Sequence, residues 1–212
     1  MSWHKERWIP FLDWTTPSGE LLRQAVKLLA EEVKIPFLEL IIFGSSPLQM
    51  GVSSAVTSGD LDVATDEDIG NFLTLAHLTK FHRSPYVEVC PLNTFRTAPD
   101  WRSRAHTESL FGVSLIFPHP IDILVSKVKR CEEKDIEAFL EVLKVTGHPT
   151  ENELKESLQR SVDIYRSGFD ESTTNDPIHN TGVLWQRLFG KEINVREAII
   201  IPGNSIRNLP RS

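Results

Sequence analysis

Residues Leu40 to Asp66 read LIIFGSSPLQMGVSSAVTSGDLDVATD. An apolar run ends at Gly44-Ser45-Ser46, a stretch of mostly small residues follows, and Asp60-Leu61-Asp62-Val63 comes next. Two carboxylates separated by one apolar residue predict a strand. Successive side chains leave a strand on opposite faces, so Asp60 and Asp62 share one face while Leu61 and Val63 take the other. Like charges held side by side repel, and a cation between them is the usual remedy. A Gly-Ser turn leading into a helix presents free backbone N–H groups suited to a phosphate. The stretch therefore reads as a metal site beside a nucleotide site.

Working outward, Trp3 to Trp14 is an aromatic, irregular lead-in, and Thr16-Pro17 opens a helix with Thr as its cap and Pro in its first turn. Leu21, Leu22, Ala25, Leu28, Leu29 and Val33 recur at helical spacing, and Leu38 to Phe43 reads as a buried strand. Beyond the central stretch, Thr65-Asp66-Glu67-Asp68 starts a second helix, and Tyr86 to Cys90 alternates as a strand that stops at Pro91. Phe95 to His106 is read as an Arg-bearing, irregular stretch, a loop with room for a helix, and Val113 to Phe117 as another strand. Pro120 opens a helix to about Arg130, Lys134-Asp135 starts the next, and a third runs from about Glu151 to Arg166. A polar loop near Asp170–Asn180 and a short helix around Leu184–Phe189 complete the legible part. This order predicts an α/β or α+β core, a mixed sheet flanked by helices, over residues 1–148, with a helical C-terminal extension over 149–212.

The 212 residues suffice for one sizeable domain. The 29 acidic against 23 basic side chains argue against a protein that coats nucleic acid non-specifically. Two cysteines, Cys90 and Cys131, show no metal-ligand spacing and suggest a reduced, cytoplasmic setting. The polar, charged N-terminus does not resemble a signal peptide, and no apolar run reaches membrane-spanning length, so no membrane partner is expected.

A strand, then Gly44-Ser45, about a dozen residues and Asp60-x-Asp62 on a second strand resembles the signature of the DNA polymerase β-like nucleotidyltransferase superfamily. Ser126-Lys127-Val128-Lys129-Arg130 with Lys134-Asp135 looks like the Lys and Lys-Asp motifs of its branch of abortive-infection-type nucleotidyltransferase toxins. The resemblance covers about residues 18–145. It implies a nucleoside triphosphate as donor and two Mg²⁺ ions, about 3.5–4 Å apart, clamping the attacking and leaving oxygens. It also implies transfer of a nucleoside monophosphate to an acceptor hydroxyl, on an RNA or tRNA end or a small molecule, in a toxin or defence setting with a cognate antitoxin.

On this reading Asp60 and Asp62 hold the metals, and Gly44, Ser45 and Ser46 hold the triphosphate. Lys127, Arg130 and Lys134 reach its oxygens, and Asp135 orients Lys127 or acts as a base. Glu88, opposite in facing to Val87 and Val89, is the favoured third catalytic carboxylate and metal ligand. Asp122, in the first turn after Pro120, competes for that place. Arg96, Arg102, Arg104 and His106 are candidates to contact the acceptor, and Arg102 and Arg104 also read as plain surface charges. Two other classes stay open: a catalytically inactive nucleotidyltransferase-fold module that binds nucleotide or protein, and a domain that a cation merely stabilises.

Overall fold

In the computed structural model, residues 2–32, 38–65, 86–165 and 176–199 are described. The helix expected after Thr65 and the loop after Asp170 fall largely outside these residues. Among them, five strands form one mixed sheet. They are β1 (Glu39–Phe43), β2 (Asp60–Ala64), β3 (Tyr86–Val89), β4 (His106–Leu110) and β5 (Val113–Phe117), in the order β3-β2-β1-β5-β4. β1 pairs antiparallel with β2 and parallel with β5, β2 pairs parallel with β3, and β4 pairs antiparallel with β5. The helices are α1 (Pro17–Glu32), α2 (Ser46–Gly51), α3 (Pro120–Lys127), α4 (Glu133–Thr146), α5 (Glu151–Arg160), α6 (Pro177–Phe189) and α7 (Val195–Ala198). The chain thus has the mixed sheet flanked by helices that its pattern predicts.

Alternation along the strands divides the core into two layers. Leu40, Ile42, Leu61, Val63 and Leu115 face α1, where Leu22, Val26 and Leu29 meet them together with Trp8 and Leu12 of the lead-in. Ile41, Phe43, Ala64 and Ile116 face the opposite way, onto α3, α4 and the C-terminal helices. Leu154, Leu158, Leu184 and Trp185 share that second cluster with Phe139 and Val142, so the C-terminal extension is packed into the same core. Asp60 and Asp62 belong to the face of Ala64. They emerge at the end of this second layer, next to the turn that follows β1.

Local chemistry sets the helix boundaries. Thr16 Oγ1 accepts the Gly19 N–H at 3.2 Å and caps α1. Reciprocal capping boxes start α4 (Glu132 with Asp135) and α5 (Thr150 with Glu153), and left-handed glycines, Gly147 and Gly190, end α4 and α6.

Four boundaries differ from the sequence reading. The helix after Pro120 stops at Lys127, because the chain must turn at Cys131, with φ 47°, to start α4. The helix after Glu151 stops at Arg160 and a 3₁₀ turn, Val162–Tyr165, takes over. α6 begins at Pro177, where Asp176 accepts the Ile178 and His179 N–H groups, inside the stretch read as loop. β4 was not anticipated as a strand. His106-Thr-Glu-Ser-Leu110 is an edge strand with no buried apolar face, joined to β5 by a two-residue turn, Phe111-Gly112, with φ 52° and 81°.

Among the described residues no helix is long and apolar enough to cross a membrane. Phe139, fully buried in the second layer, should carry a large share of stability. Phe139→Ala is expected to lose about 3–5 kcal/mol in urea unfolding, whereas Phe11→Ala, at a side chain 93% exposed, should stay within about 0.5 kcal/mol of the parent.

Candidate metal centre

The register of three strands builds the centre. Phe43 pairs with Asp62 across the antiparallel β1–β2 ladder, and Asp62 pairs with Glu88 across the parallel β2–β3 ladder. Gly44, just past Phe43, has φ 69°, and a Cβ there would overlap the Asp62 carboxylate. Only glycine lets the turn close over that side chain. Ser46, fully buried, donates to the Asp60 carbonyl at 2.9 Å and also meets Ser58 Oγ at 3.0 Å and Ser18 Oγ at 3.2 Å. Its hydroxyl therefore ties the turn to the start of β2.

Asp62, Glu88 and Cys90 bring one ligand atom each to within 4.8 Å of one another, and this is the one such metal-capable group found among the described residues. Cys90 Sγ donates to Asp62 Oδ1 at 3.7 Å. Asp60 stands on the same face but outside this three-atom group. Its charge still reaches Asp62, whose pKa is pushed up to about 6 by burial first, then by Asp60 and Glu88, with Lys127 and the Cys90 hydrogen bond opposing. Burial, Asp62 and Glu88 likewise push the Cys90 thiol up to about 12. Two carboxylates whose charges repel, with a protonated thiol beside them, offer a donor set that fits a divalent cation.

A basic rim stands beside the carboxylates. Lys127, at the end of α3 and 9% exposed, donates from Nζ to Ser45 Oγ at 3.0 Å and to Asp135 Oδ1 at 3.1 Å. Arg130 forks onto Asp135 at 2.8 and 3.0 Å while keeping about half of its side chain exposed. The Glu132 N–H adds a further hydrogen bond to Asp135 at 3.1 Å. Burial alone would raise the Asp135 pKa, but the Arg130 hydrogen bonds and the two cations outweigh it and hold the group below the usual carboxylate range. A carboxylate so saturated with hydrogen bonds positions Lys127 and Arg130. Lys134 points to Glu132 at 3.3 Å and is largely exposed.

The remaining candidates lie elsewhere. Asp122 is buried and takes Arg104 in a forked pair at 2.6 and 3.2 Å, with Thr97 adding 2.8 Å. It is outside the Asp62–Glu88–Cys90 group, and Glu88 is the carboxylate that lies beside Asp62. Arg104 is itself buried and bridges Asp122 to Asp100, so it is a core ion-pair residue and no acceptor contact. Burial alone would lower its pKa, and its hydrogen bonds to Asp122 with the charges of both aspartates raise it on balance. Arg102 pairs with Glu39 at 2.8 Å and lies over Trp101, Arg96 is exposed, and His106 meets Glu108 at 3.6 Å. Cys90 is the site residue the sequence reading passed over. The signal was present, since Glu88 and Cys90 are two apart on one strand.

The chain matches no family model, no curated protein and no solved structure in the comparisons made.

The Asp62 shift carries a sign. A carboxylate with a folded pKa above its unfolded value contributes stability below the unfolded pKa and loses it as pH rises through the folded one. Between about pH 4 and pH 6 the cation-free protein should therefore lose stability as Asp62 ionises. Asp62→Asn is expected to be more stable than the parent by about 2–3 kcal/mol at pH 7.5, with the gain gone at pH 4. Paired thermal unfolding curves at the two pH values check this.

Proposed function

We propose that the chain is a metal-dependent nucleotidyltransferase that moves a nucleoside monophosphate from an NTP to an acceptor hydroxyl. The observation that carries this reading is the juxtaposition of an acidic pole, Asp62 with Glu88, and a basic rim, Lys127 with Arg130, joined by the Gly44-Ser45 turn. That arrangement suits a polyanion held together with its counter-cation. The resemblance of Gly44-Ser45 and Asp60-x-Asp62 to the DNA polymerase β-like superfamily points the same way.

Divalent cations, Mg²⁺ by the resemblance, would supply neutralisation of the reacting and leaving phosphates. Within the chain, Asp60, Asp62 and Glu88 hold and separate charge at the acidic pole. Lys127 is preset against Ser45 and Asp135, so its ammonium meets a phosphate oxygen with little loss of rotamer freedom. Arg130, half exposed, offers the wider, forked contact. The acceptor is a hydroxyl on an RNA end or a small molecule, and a cognate antitoxin is the partner that the toxin branch suggests.

A second reading keeps the nucleotide but not the transfer, and Asp60 is what favours it. A two-metal clamp draws on both aspartates, yet Asp60 stands outside the three-atom group. Incubation with each α-labelled NTP, Mg²⁺ and either total RNA or small acceptors separates the two. Transfer should fall by about a hundredfold or more in Asp60→Ala/Asp62→Ala. Nucleotide binding without transfer to any acceptor favours the module, and absence of nucleotide binding contradicts both.

Lys127→Ala should weaken NTP binding by about tenfold, the loss of one charge-assisted contact near 1.5 kcal/mol. Asp135→Asn should weaken it less, since Lys127 and Arg130 keep their charges. Equilibrium binding of a fluorescent NTP analogue checks the order.

A further inference from the structure

We propose that Asp62, Glu88 and Cys90 form a mixed oxygen–sulfur seat for a thiophilic divalent cation of the Zn²⁺, Co²⁺ or Cd²⁺ kind, with Cys90 as its third ligand. This seat is the metal half of the site proposed above for nucleotidyl transfer, on which reading it rests for its setting though not for its chemistry.

The backbone places the three donors. Asp62 and Glu88 are register partners, and the Cys90 N–H continues the same ladder by donating to the Val63 carbonyl at 2.8 Å. Cys90 therefore follows Glu88 on the same face, one residue pair further along. Its Sγ already touches Asp62 through the 3.7 Å hydrogen bond, and all three ligand atoms lie within 4.8 Å of one another. Two donors on a tetrahedral Zn²⁺ stand about 3.5 Å apart, from bond lengths near 2.3 Å to sulfur and 2.0–2.2 Å to oxygen. Small side-chain rotations close that difference, and Glu88 is exposed and free to make them.

The donor chemistry sets the preference. Mg²⁺ takes hard oxygens in an octahedron, keeps several waters and has no use for a thiol. A thiolate among carboxylates selects borderline and soft cations. Binding releases the Sγ proton to solvent, breaks the Cys90–Asp62 hydrogen bond and turns its donor into a ligand. Three protein ligands leave a fourth position open, the arrangement of a cation that also takes water or a substrate oxygen.

Cobalt(II) titration of the full-length protein, followed by absorption, tests the seat. A near-ultraviolet thiolate-to-cobalt charge-transfer band should appear in the parent and in Cys131→Ser, and vanish in Cys90→Ser. Zn²⁺ should bleach the band and millimolar Mg²⁺ should not. Cys90→Ser should weaken Zn²⁺ binding by about tenfold or more and leave Mg²⁺ binding unchanged. In the unmutated protein, Zn²⁺ but not Mg²⁺ should protect Cys90 from a thiol reagent, a readout independent of how the variant folds. Cobalt bound without the band, a band that survives Cys90→Ser, or an unprotected Cys90 overturns the seat. The band without any nucleotidyl transfer would sink the catalytic reading alone, and Mg²⁺-dependent transfer without the band would sink the seat alone.

Discussion

The close approach of the Gly44 backbone to the Asp62 carboxylate is the constraint on which the rest of the site depends. β1 must end in a residue with positive φ and no Cβ, because the antiparallel pairing of Phe43 with Asp62 brings that carboxylate directly against the turn. Once the turn closes there, Ser45 faces Lys127 and Ser46 reaches back to the Asp60 carbonyl. The parallel β2–β3 register then sets Glu88 beside Asp62 with no further adjustment. Any side chain at Gly44 would push the carboxylate away or distort the ladder, and either change displaces every later element of the site.

Electrostatics divides this corner of the molecule into two poles that only a ligand can reconcile. Asp62 is half-buried beside Glu88 and within reach of the Asp60 charge, so carboxylates repel one another where β2 meets β3. Lys127 and Arg130 stand near enough for Lys127 to lower the Asp62 pKa and for Asp62 to raise that of Arg130, but their hydrogen bonds are spent on Asp135 and Ser45. Neither pole neutralises the other by contact. On the proposed function, a cation with a polyphosphate is the ligand that would bridge the two poles, and the cost of keeping them apart is expected where a fold reserves a binding site. The Asp122–Arg104 pair shows the contrast, since there the opposite charges meet directly inside the core.

The sheet was legible from its apolar strands: Leu40–Phe43, buried on both faces, reads as a continuous apolar run, and Leu61 and Val63 alternate with Asp60 and Asp62. β4 was not, since an edge strand needs no apolar face and His106–Leu110 has none. Asp60 and Asp62 could be singled out from their spacing and Glu88 from its facing on a strand, while Lys127 stood out only through the resemblance of its segment to a family motif. Their grouping could not be read this way, because the register that joins β2 to β3 is a long-range fact. For the same reason Ser46 and Asp135 were read as ligand or base candidates, while the structure spends them on holding Asp60 and Lys127 in place. The burial of Arg104 is likewise invisible in a stretch rich in charge.

Crystals of the protein grown with Mn²⁺ and a non-hydrolysable NTP analogue, measured at the manganese edge, test the central claim most directly. An anomalous peak in coordination distance of Asp62 and Glu88, with the triphosphate against Ser45, Lys127 and Arg130, is the predicted result. Manganese absent from that position, or a nucleotide seated away from the Gly44 turn, would contradict it.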